Sequence, residues 1–246
     1  MTRPIPLLRI LQSQGFGSRR TCRELIEAGR ILVNGSACDQ PEQAFSSDSL
    51  TLTLDGQDWR YREKVYLALH KPVGYECSRQ AQHHPSVFTL LPAPLVERGV
   101  QPVGRLDQDS SGLLLLSDDG DFIHRYTSPK QEVLKVYRVV CKHPVSDEQI
   151  AALRAGVLLR DERAPIAARA CERVAERVVD LSIGEGKYHQ VKRMFAAAGN
   201  RVEALQRTAI GGYPLPTGLA PGQWQFLEPA DLLRLADSAP AAVPSA

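Results

Sequence analysis

Cysteine is sparse in this sequence and nowhere clustered. Cys22, Cys38, Cys77, Cys141 and Cys171 form no C-x-x-C pair and have no zinc-type spacing with histidine. An odd number of scattered cysteines excludes a disulfide framework, so reduced, structural thiols are expected, with no metal. No apolar run approaches the roughly 18 residues of a membrane span. Pro4 and Pro6 interrupt the N-terminal stretch where a secretion signal would have to be apolar, and a cytoplasmic location is expected. No G-x-G-x-x-G follows a strand, and Gly184-Glu185-Gly186-Lys187 is too short for a P-loop, so no nucleotide cofactor is expected. H-E-x-x-H and G-x-S-x-G are also missing, which removes the common zinc and serine hydrolase signatures.

What is present is a globular composition. Of 246 residues, 43% are hydrophobic and 24% charged, enough apolar material for one large domain or two unequal ones. The net charge of +2 conceals an uneven distribution. Residues 1–30, 124–142 and 187–207 each carry +4, and the remainder sums to −10. Positive charge gathered in this way is the footprint of a polyanion-binding face. Arg outnumbers Lys 23 to 7, which favours bidentate phosphate contacts, although the base composition of a genome produces the same bias.

The first 60 residues read as a small unit. Leu7, Leu8, Ile10 and Leu11 share one helical face, and Gly15-Phe16-Gly17 breaks it. Ser18 is a good N-cap for a second helix, whose run ends over Glu24 to Ala28 with Gly29 at the left-handed C-cap position. Asn34-Gly35 after Ile31-Leu32-Val33 signals a hairpin, and Leu50 to Leu54 alternates like a half-buried strand. Arg19, Arg20 and Arg23 on the second helix, with Arg30 beyond it, can project four guanidinium groups from one helix-turn element. Residues 61–64 are polar and read as a linker. From Val65 onward, strands are expected at Val65–Leu69, Gly112–Ser117, Lys135–Lys142, Val178–Ile183 and Arg201–Ile210. Helices are expected from Ser146 to Ala155 and from His189 to Ala198. Without strict alternation, this is an α+β domain with a mixed, largely antiparallel sheet spanning 65–236. The tail, residues 237–246, is expected to be disordered.

The chemically suggestive stretch is Gly104-Arg105-Leu106-Asp107-Gln108-Asp109-Ser110-Ser111-Gly112, just before Leu113 to Leu116. A carboxylate at the mouth of an apolar strand, two residues from an Arg, is placed to stay ionised while partly desolvated. Read alone, the same residues make an ordinary Asp/Ser/Gly turn, with Asp109 capping or hydrogen-bonding it. Three ordered motifs add more: Gly104-Arg105-Leu106-Asp107 with its following Ser and Gly-Leu, then Lys135-x-Tyr137, then Glu185 through Phe195. Together with His70-Lys71-Pro72, Ser128-Pro129 and Gly211-Gly212, they resemble the RsuA-type ribosomal RNA pseudouridine synthases over about residues 65–236. The N-terminal unit resembles the small RNA-binding module of ribosomal protein S four, through Ser18-Arg19-Arg20, Gly29-Arg30 and Val33-Asn34-Gly35. Pro6-Leu7-Leu8-Arg9 stands where that module usually opens Arg-Leu-Asp-Lys, so its first helix keeps one basic residue.

The resemblance implies a cofactor-free isomerisation in which uracil is detached from ribose, rotated and rejoined through carbon 5. Asp107 matches the catalytic aspartate, Lys192 the basic residue that pairs with it, and Tyr137 the tyrosine that stacks on the target base with its hydroxyl near carbon 5. Arg105 matches a position associated with base flipping, and a phosphate clamp is the equal alternative. Lys135 and Arg193, with the four N-terminal arginines, are candidate substrate contacts. Arg193, Arg201 and Arg207 are read as phosphate-facing or solvated, Tyr188-His189 as acid-base candidates for which packing and capping is the commoner role, and His83-His84 as loop. Tyr188 through Met194 resembles the small-subunit enzyme more than its large-subunit relatives. The expected partner is therefore small-subunit ribosomal RNA or an assembling particle, met by a monomer. Two readings compete: an RNA-binding assembly factor without catalysis, and a glycosidase pairing Asp107 with Glu185. Neither explains Asp107, Tyr137 and Lys192 occurring together with an RNA-binding module.

Overall fold

In the computed structural model, which describes residues 3–237, the chain divides into two compact units. The expected disordered tail falls almost entirely outside the described residues. The first unit holds the described residues up to Val65 and takes in residues 91–101, a return for which the sequence carries no signal. Its elements are β1 (Ile5–Pro6), α1 (Leu7–Ser13), α2 (Arg19–Glu27), β2 (Ile31–Val33), β3 (Ser36–Ala37), β4 (Ala44–Phe45), β5 (Thr51–Leu54), β6 (Gln57–Arg60) and α3 (Ala93–Glu97). Strand β1 pairs with β4, and β3-β2-β5-β6 form a sheet whose neighbours are all antiparallel. The β2–β3 hairpin turns on Asn34 (φ 50°) and Gly35 (φ 82°), the two positive dihedrals such a turn requires. Ser18 caps α2 by accepting from the Thr21 amide at 3.2 Å. Leu7, Ile10 and Leu11 meet Cys22, Ile26, Ile31 and Leu52 in one core, so the helical face read from sequence is the buried one. The expected linker is tied to this unit. The buried Gln14 amide donates to the Arg62 carbonyl at 3.0 Å and accepts from the Arg62 amide at 3.1 Å.

The second unit is built on a nine-stranded sheet among the described residues. In chain order its elements are β7 (Tyr66–Lys71), β8 (Gln101–Val103), β9 (Ser110–Ser117), α4 (Gly120–Thr127), β10 (Lys135–Cys141), α5 (Asp147–Ala155), β11 (Ala170–Ala175), β12 (Val178–Ile183), α6 (Gln190–Ala197), β13 (Val202–Ile210), β14 (Tyr213–Pro214), β15 (Trp224–Phe226) and α7 (Pro229–Ala236). The main path runs β11-β12-β10-β13-β9-β7-β15, with β14 beside β13 and β8 beside β9. The β13–β9 pair is parallel, and the other registered pairs of this sheet are antiparallel. This is the α+β, largely antiparallel architecture expected from the sequence.

Alternation decides which helices cover which face. Tyr137, Val139 and Cys141 of β10 pack with Leu153 of α5 and with Met194 and Phe195 of α6. Leu113 and Leu115 of β9 pack with Tyr126 of α4 and Leu235 of α7. Helix α5 carries a full capping box between Ser146 and Gln149. All five cysteines are free, and four are buried. No helix among the described residues is long and apolar enough to cross a membrane.

Candidate active site

The site forms where the loop before β9 meets the start of α6. That loop is held from below. Lys71, at the end of β7, is fully buried, and its ammonium donates to the carbonyls of Ser110 at 2.7 Å and Pro72 at 3.0 Å. Burial pushes the Lys71 ammonium below its ordinary pKa, while the nearby acids Asp109 and Asp107 act in the other direction. The Gly74 amide adds a 2.7 Å bond to the Gln108 carbonyl, and the Ser110 amide a 3.1 Å bond to the Asp107 carbonyl. Gly112 lets β9 and β13 meet at this end. Its φ is 107°, and a β-carbon there would lie 2.2 Å from the Arg207 carbonyl oxygen.

On this frame Asp107 is partly exposed and faces two basic groups. Its Oδ2 lies 3.3 Å from Lys192 Nζ and its Oδ1 3.3 Å from His189 Nε2. Lys192 also donates to Asp109 Oδ1, at 2.5 Å. Asp109, read from sequence as a turn residue, therefore shares the lysine with Asp107. Burial opposes charge on Asp109, but the Lys192 hydrogen bond and charge prevail and hold its carboxyl below the usual range. Burial also opposes charge on Lys192, while the two carboxylates hold its ammonium above the ordinary value.

A cleft of about 740 Å³ opens over these groups, bounded by Arg105, Asp107, Asp109, Tyr188, His189 and Lys192 on one side and by residues 76–84 on the other. The far wall is ordered by Glu76, whose carboxylate accepts the backbone amides of Gln82, His83 and His84, so the two histidines sit in a braced loop. A smaller recess of about 80 Å³ joins the same aspartate to Tyr137, Ile183, Val191 and Leu205. Tyr137 sits opposite Arg207 of β13, directly after a bulge in the β10–β13 register. The recess is lined by both the Tyr137 ring and the Asp107 carboxylate. Among the described residues, no three His, Cys, Asp or Glu side chains gather as a metal site.

The remaining sequence candidates are spread more widely. Arg105 is exposed at the cleft. Arg193 donates to the Tyr188 carbonyl at 3.2 Å and pairs with Asp161 at 3.4 Å. The Lys135 ammonium turns inward to the Val133 carbonyl at 3.0 Å, and burial lowers its pKa from 10.5 to about 8. Arg207, read as phosphate-facing or solvated, is instead buried and donates through Nε to the Leu113 carbonyl at 2.7 Å. In the first unit Arg20 pairs with Glu24, Arg23 with Glu27 and Glu42, and Arg30 with Asp55, while Arg19 is exposed. Sequence reasoning missed His189 as a neighbour of Asp107. The signal was its position three residues before Lys192, at the cap of the same helix.

Two family models match the chain. One, described as RNA pseudouridylate synthase, covers residues 65–197, and the other, the S4 domain, covers residues 5–47. The chain belongs to the RNA pseudouridylate synthase family. A Bacillus subtilis relative called uncharacterized RNA pseudouridine synthase YtzG is 34% identical over 227 residues, covering 91% of this chain and 95% of that protein. The ribosomal small subunit pseudouridine synthase A of Vibrio parahaemolyticus is 38% identical over 213 residues, covering 85% of this chain and 90% of that one. A solved structure described as that of a pseudouridylate synthase has a TM-score of 0.67 and 32% identity, covering 94% of this chain and all of that one. As a pseudouridine synthase, the chain carries out an isomerisation at uridine in RNA, which fits a carboxylate and a cation at the cleft and a tyrosine in the adjoining recess.

Proposed function

We propose that this pseudouridine synthase converts one specific uridine of small-subunit ribosomal RNA to pseudouridine, with Asp107 as the nucleophile. The observation that carries the reading is Asp107 at the junction of cleft and recess, with Lys192 Nζ 3.3 Å from Oδ2 and Tyr137 in the recess wall. The uridine is flipped from its stack, since a base held in structured RNA cannot bring its ring to the aspartate and tyrosine that act on it. Asp107 attacks the ribose or the uracil ring, or assists cleavage of the glycosidic bond; a carboxylate serves in each because it can leave again. The N1–C1′ bond breaks and a C5–C1′ bond forms. The proton lost from carbon 5 is balanced by one gained at N1, so no cofactor is consumed. Lys192 places a positive charge beside the reacting carboxylate. Tyr137 stacks on the base and offers its hydroxyl for the proton at carbon 5.

Arg105, Lys135 and Arg193 are assigned to the RNA around the target. The N-terminal unit, residues 1–60, docks RNA through Arg19, Arg20, Arg23 and Arg30, three of which exchange a carboxylate for a phosphate to do so; residues 65–236 perform the chemistry. The small-subunit assignment is supported by the names of relatives from Vibrio, Pasteurella and Salmonella, which are 36–38% identical as a group with Haemophilus. The working form is a cytoplasmic monomer acting on ribosomal RNA or an assembling small-subunit particle. The test is carbodiimide-blocked reverse transcription of ribosomal RNA from a deletion strain complemented with the parent or with Asp107→Ala. One small-subunit pseudouridine vanishes on deletion and returns only with the parent. Restoration by Asp107→Ala refutes the nucleophile, and loss of a large-subunit site in its place refutes the substrate.

A further inference from the structure

Lys192 accounts for one oxygen of Asp107. The other faces His189, a residue the reaction as described does not use. Two independent features mark this histidine. Its backbone lies in the left-handed region, φ 50° and ψ 29°, at the N-cap of α6, and its side chain makes no capping hydrogen bond there. A residue with a β-carbon resists that conformation, so something beyond helix capping holds it. The imidazole is also stacked under Tyr188, with ring centroids 3.8 Å apart and planes 20° from parallel. Tyr188 is itself 71% exposed. A stack at the surface with one polar edge directed at a carboxylate fixes ring orientation more than it fills a core.

We infer that His189 is a positioning residue for the isomerisation: the strained backbone and the Tyr188 stack hold Nε2 against Asp107 Oδ1, so that His189 and Lys192 clamp the carboxylate from both sides. The inference rests on the role proposed for Asp107. The groups facing the imidazole are Asp107, Asp109 and Lys192 of the same cluster and the Tyr188 ring. With Oδ1 released, the carboxylate can turn about its last torsion toward Lys192 and Asp109, and the attacking oxygen loses its direction. Misplacement on that scale slows chemistry without weakening RNA binding.

The backbone makes the test clean. Glycine and asparagine both accept the left-handed conformation, so His189→Gly and His189→Asn remove the contact while relieving strain. Single-turnover tritium release is measured from small-subunit ribosomal RNA transcribed with 5-tritiated uridine. The expected result for both variants is a rate at saturating RNA lower by about 10- to 100-fold, with the concentration for half-maximal rate within about twofold of the parent. Free imidazole restores much of the rate to His189→Gly and none to the parent. An unchanged rate, or a loss carried by weaker RNA binding and untouched by imidazole, overturns the inference. If the parent releases no tritium, the proposed function has failed, and the clamp is still tested in the free protein by ¹³C NMR of aspartate carboxyls. At one fixed neutral pH the Asp107 carboxyl signal then moves on His189→Gly; an identical signal in both proteins refutes the clamp.

Discussion

Lys135 opens β10 two residues before Tyr137, and its ammonium is turned into the protein against the Val133 carbonyl. Burial is the leading cause of its lowered pKa, from 10.5 to about 8, with repulsion from Arg207 second. Between about pH 8 and 10.5 the unfolded chain keeps a proton that the folded chain has released, so stability rises with pH across that window. Below about pH 8 both states are protonated and the folded state bears the full cost of the buried charge. A shift of this size corresponds to about 3 kcal/mol, from which the lost hydrogen bond to Val133 takes back about 1 kcal/mol when the lysine is replaced. Lys135→Met is therefore expected to be about 2 kcal/mol more stable than the parent at pH 7 and equal to it or slightly less stable above pH 10.5. Urea unfolding followed by tryptophan fluorescence at pH 7, 9 and 10.5 measures the difference. A variant less stable at pH 7, or a difference that does not change with pH, refutes the reasoning. The same variant separates the two roles open to this lysine, because loss of RNA affinity in a stable protein would put its ammonium on the substrate.

Gly112→Ala forces a β-carbon to 2.2 Å from the Arg207 carbonyl at a φ of 107°, so β9 must separate from β13 just behind the catalytic loop. A loss of about 3 kcal/mol or more is expected in denaturant unfolding, and a loss within 1 kcal/mol would show that the strands slide freely. Lys192→Met leaves Asp107 and Asp109 facing each other without their shared cation. Turnover in tritium release should fall by about 100-fold or more, and a fall of less than about tenfold argues against electrostatic support by this lysine. Tyr137→Phe keeps the ring and removes the hydroxyl. RNA affinity within about twofold of the parent with a rate reduced at least about tenfold is expected in filter binding and tritium release, and an unchanged rate would assign the proton at carbon 5 to another group.

Local chemistry made much of this fold legible. Asn34-Gly35 gave the hairpin because few other pairs accept two positive φ angles in succession, and Ser18 and Ser146 marked helix starts because their hydroxyls satisfy amides that nothing else can reach. Val178–Ile183 emerged with the boundaries read from its apolar, β-branched run. The parts that stayed hidden depend on partners distant in sequence. The parallel β9–β13 pair joins segments about ninety residues apart, and nothing in either strand names the other. Arg207 reads as phosphate-facing or solvated because composition prices a charge without its carbonyl partner. The basic N-terminal stretch was legible as charge but not as ion pairs, since Glu42 and Asp55 reach Arg23 and Arg30 from outside it.

The buried cations and the site have one logic. A carboxylate that must attack and later leave needs compensating charge held in place when a base covers it and displaces its water. Here that task falls to fixed positive groups. Lys192 lies at hydrogen-bonding range of Asp107, and Lys71 lies beneath the loop with its field directed at both acids. Arg207 is buried behind β9 with one guanidinium nitrogen lacking a hydrogen-bond partner. An unsatisfied guanidinium nitrogen and an inward-turned lysine each cost folding stability, and packing alone would replace both with leucine or methionine. Lys192 and Lys71 already stand near Asp107 and Asp109, as a preorganised electrostatic frame requires, because charges held in place need no reorganisation when the carboxylate reacts. Variants that relieve such a buried charge should gain stability at the expense of turnover wherever the relieved charge faces Asp107.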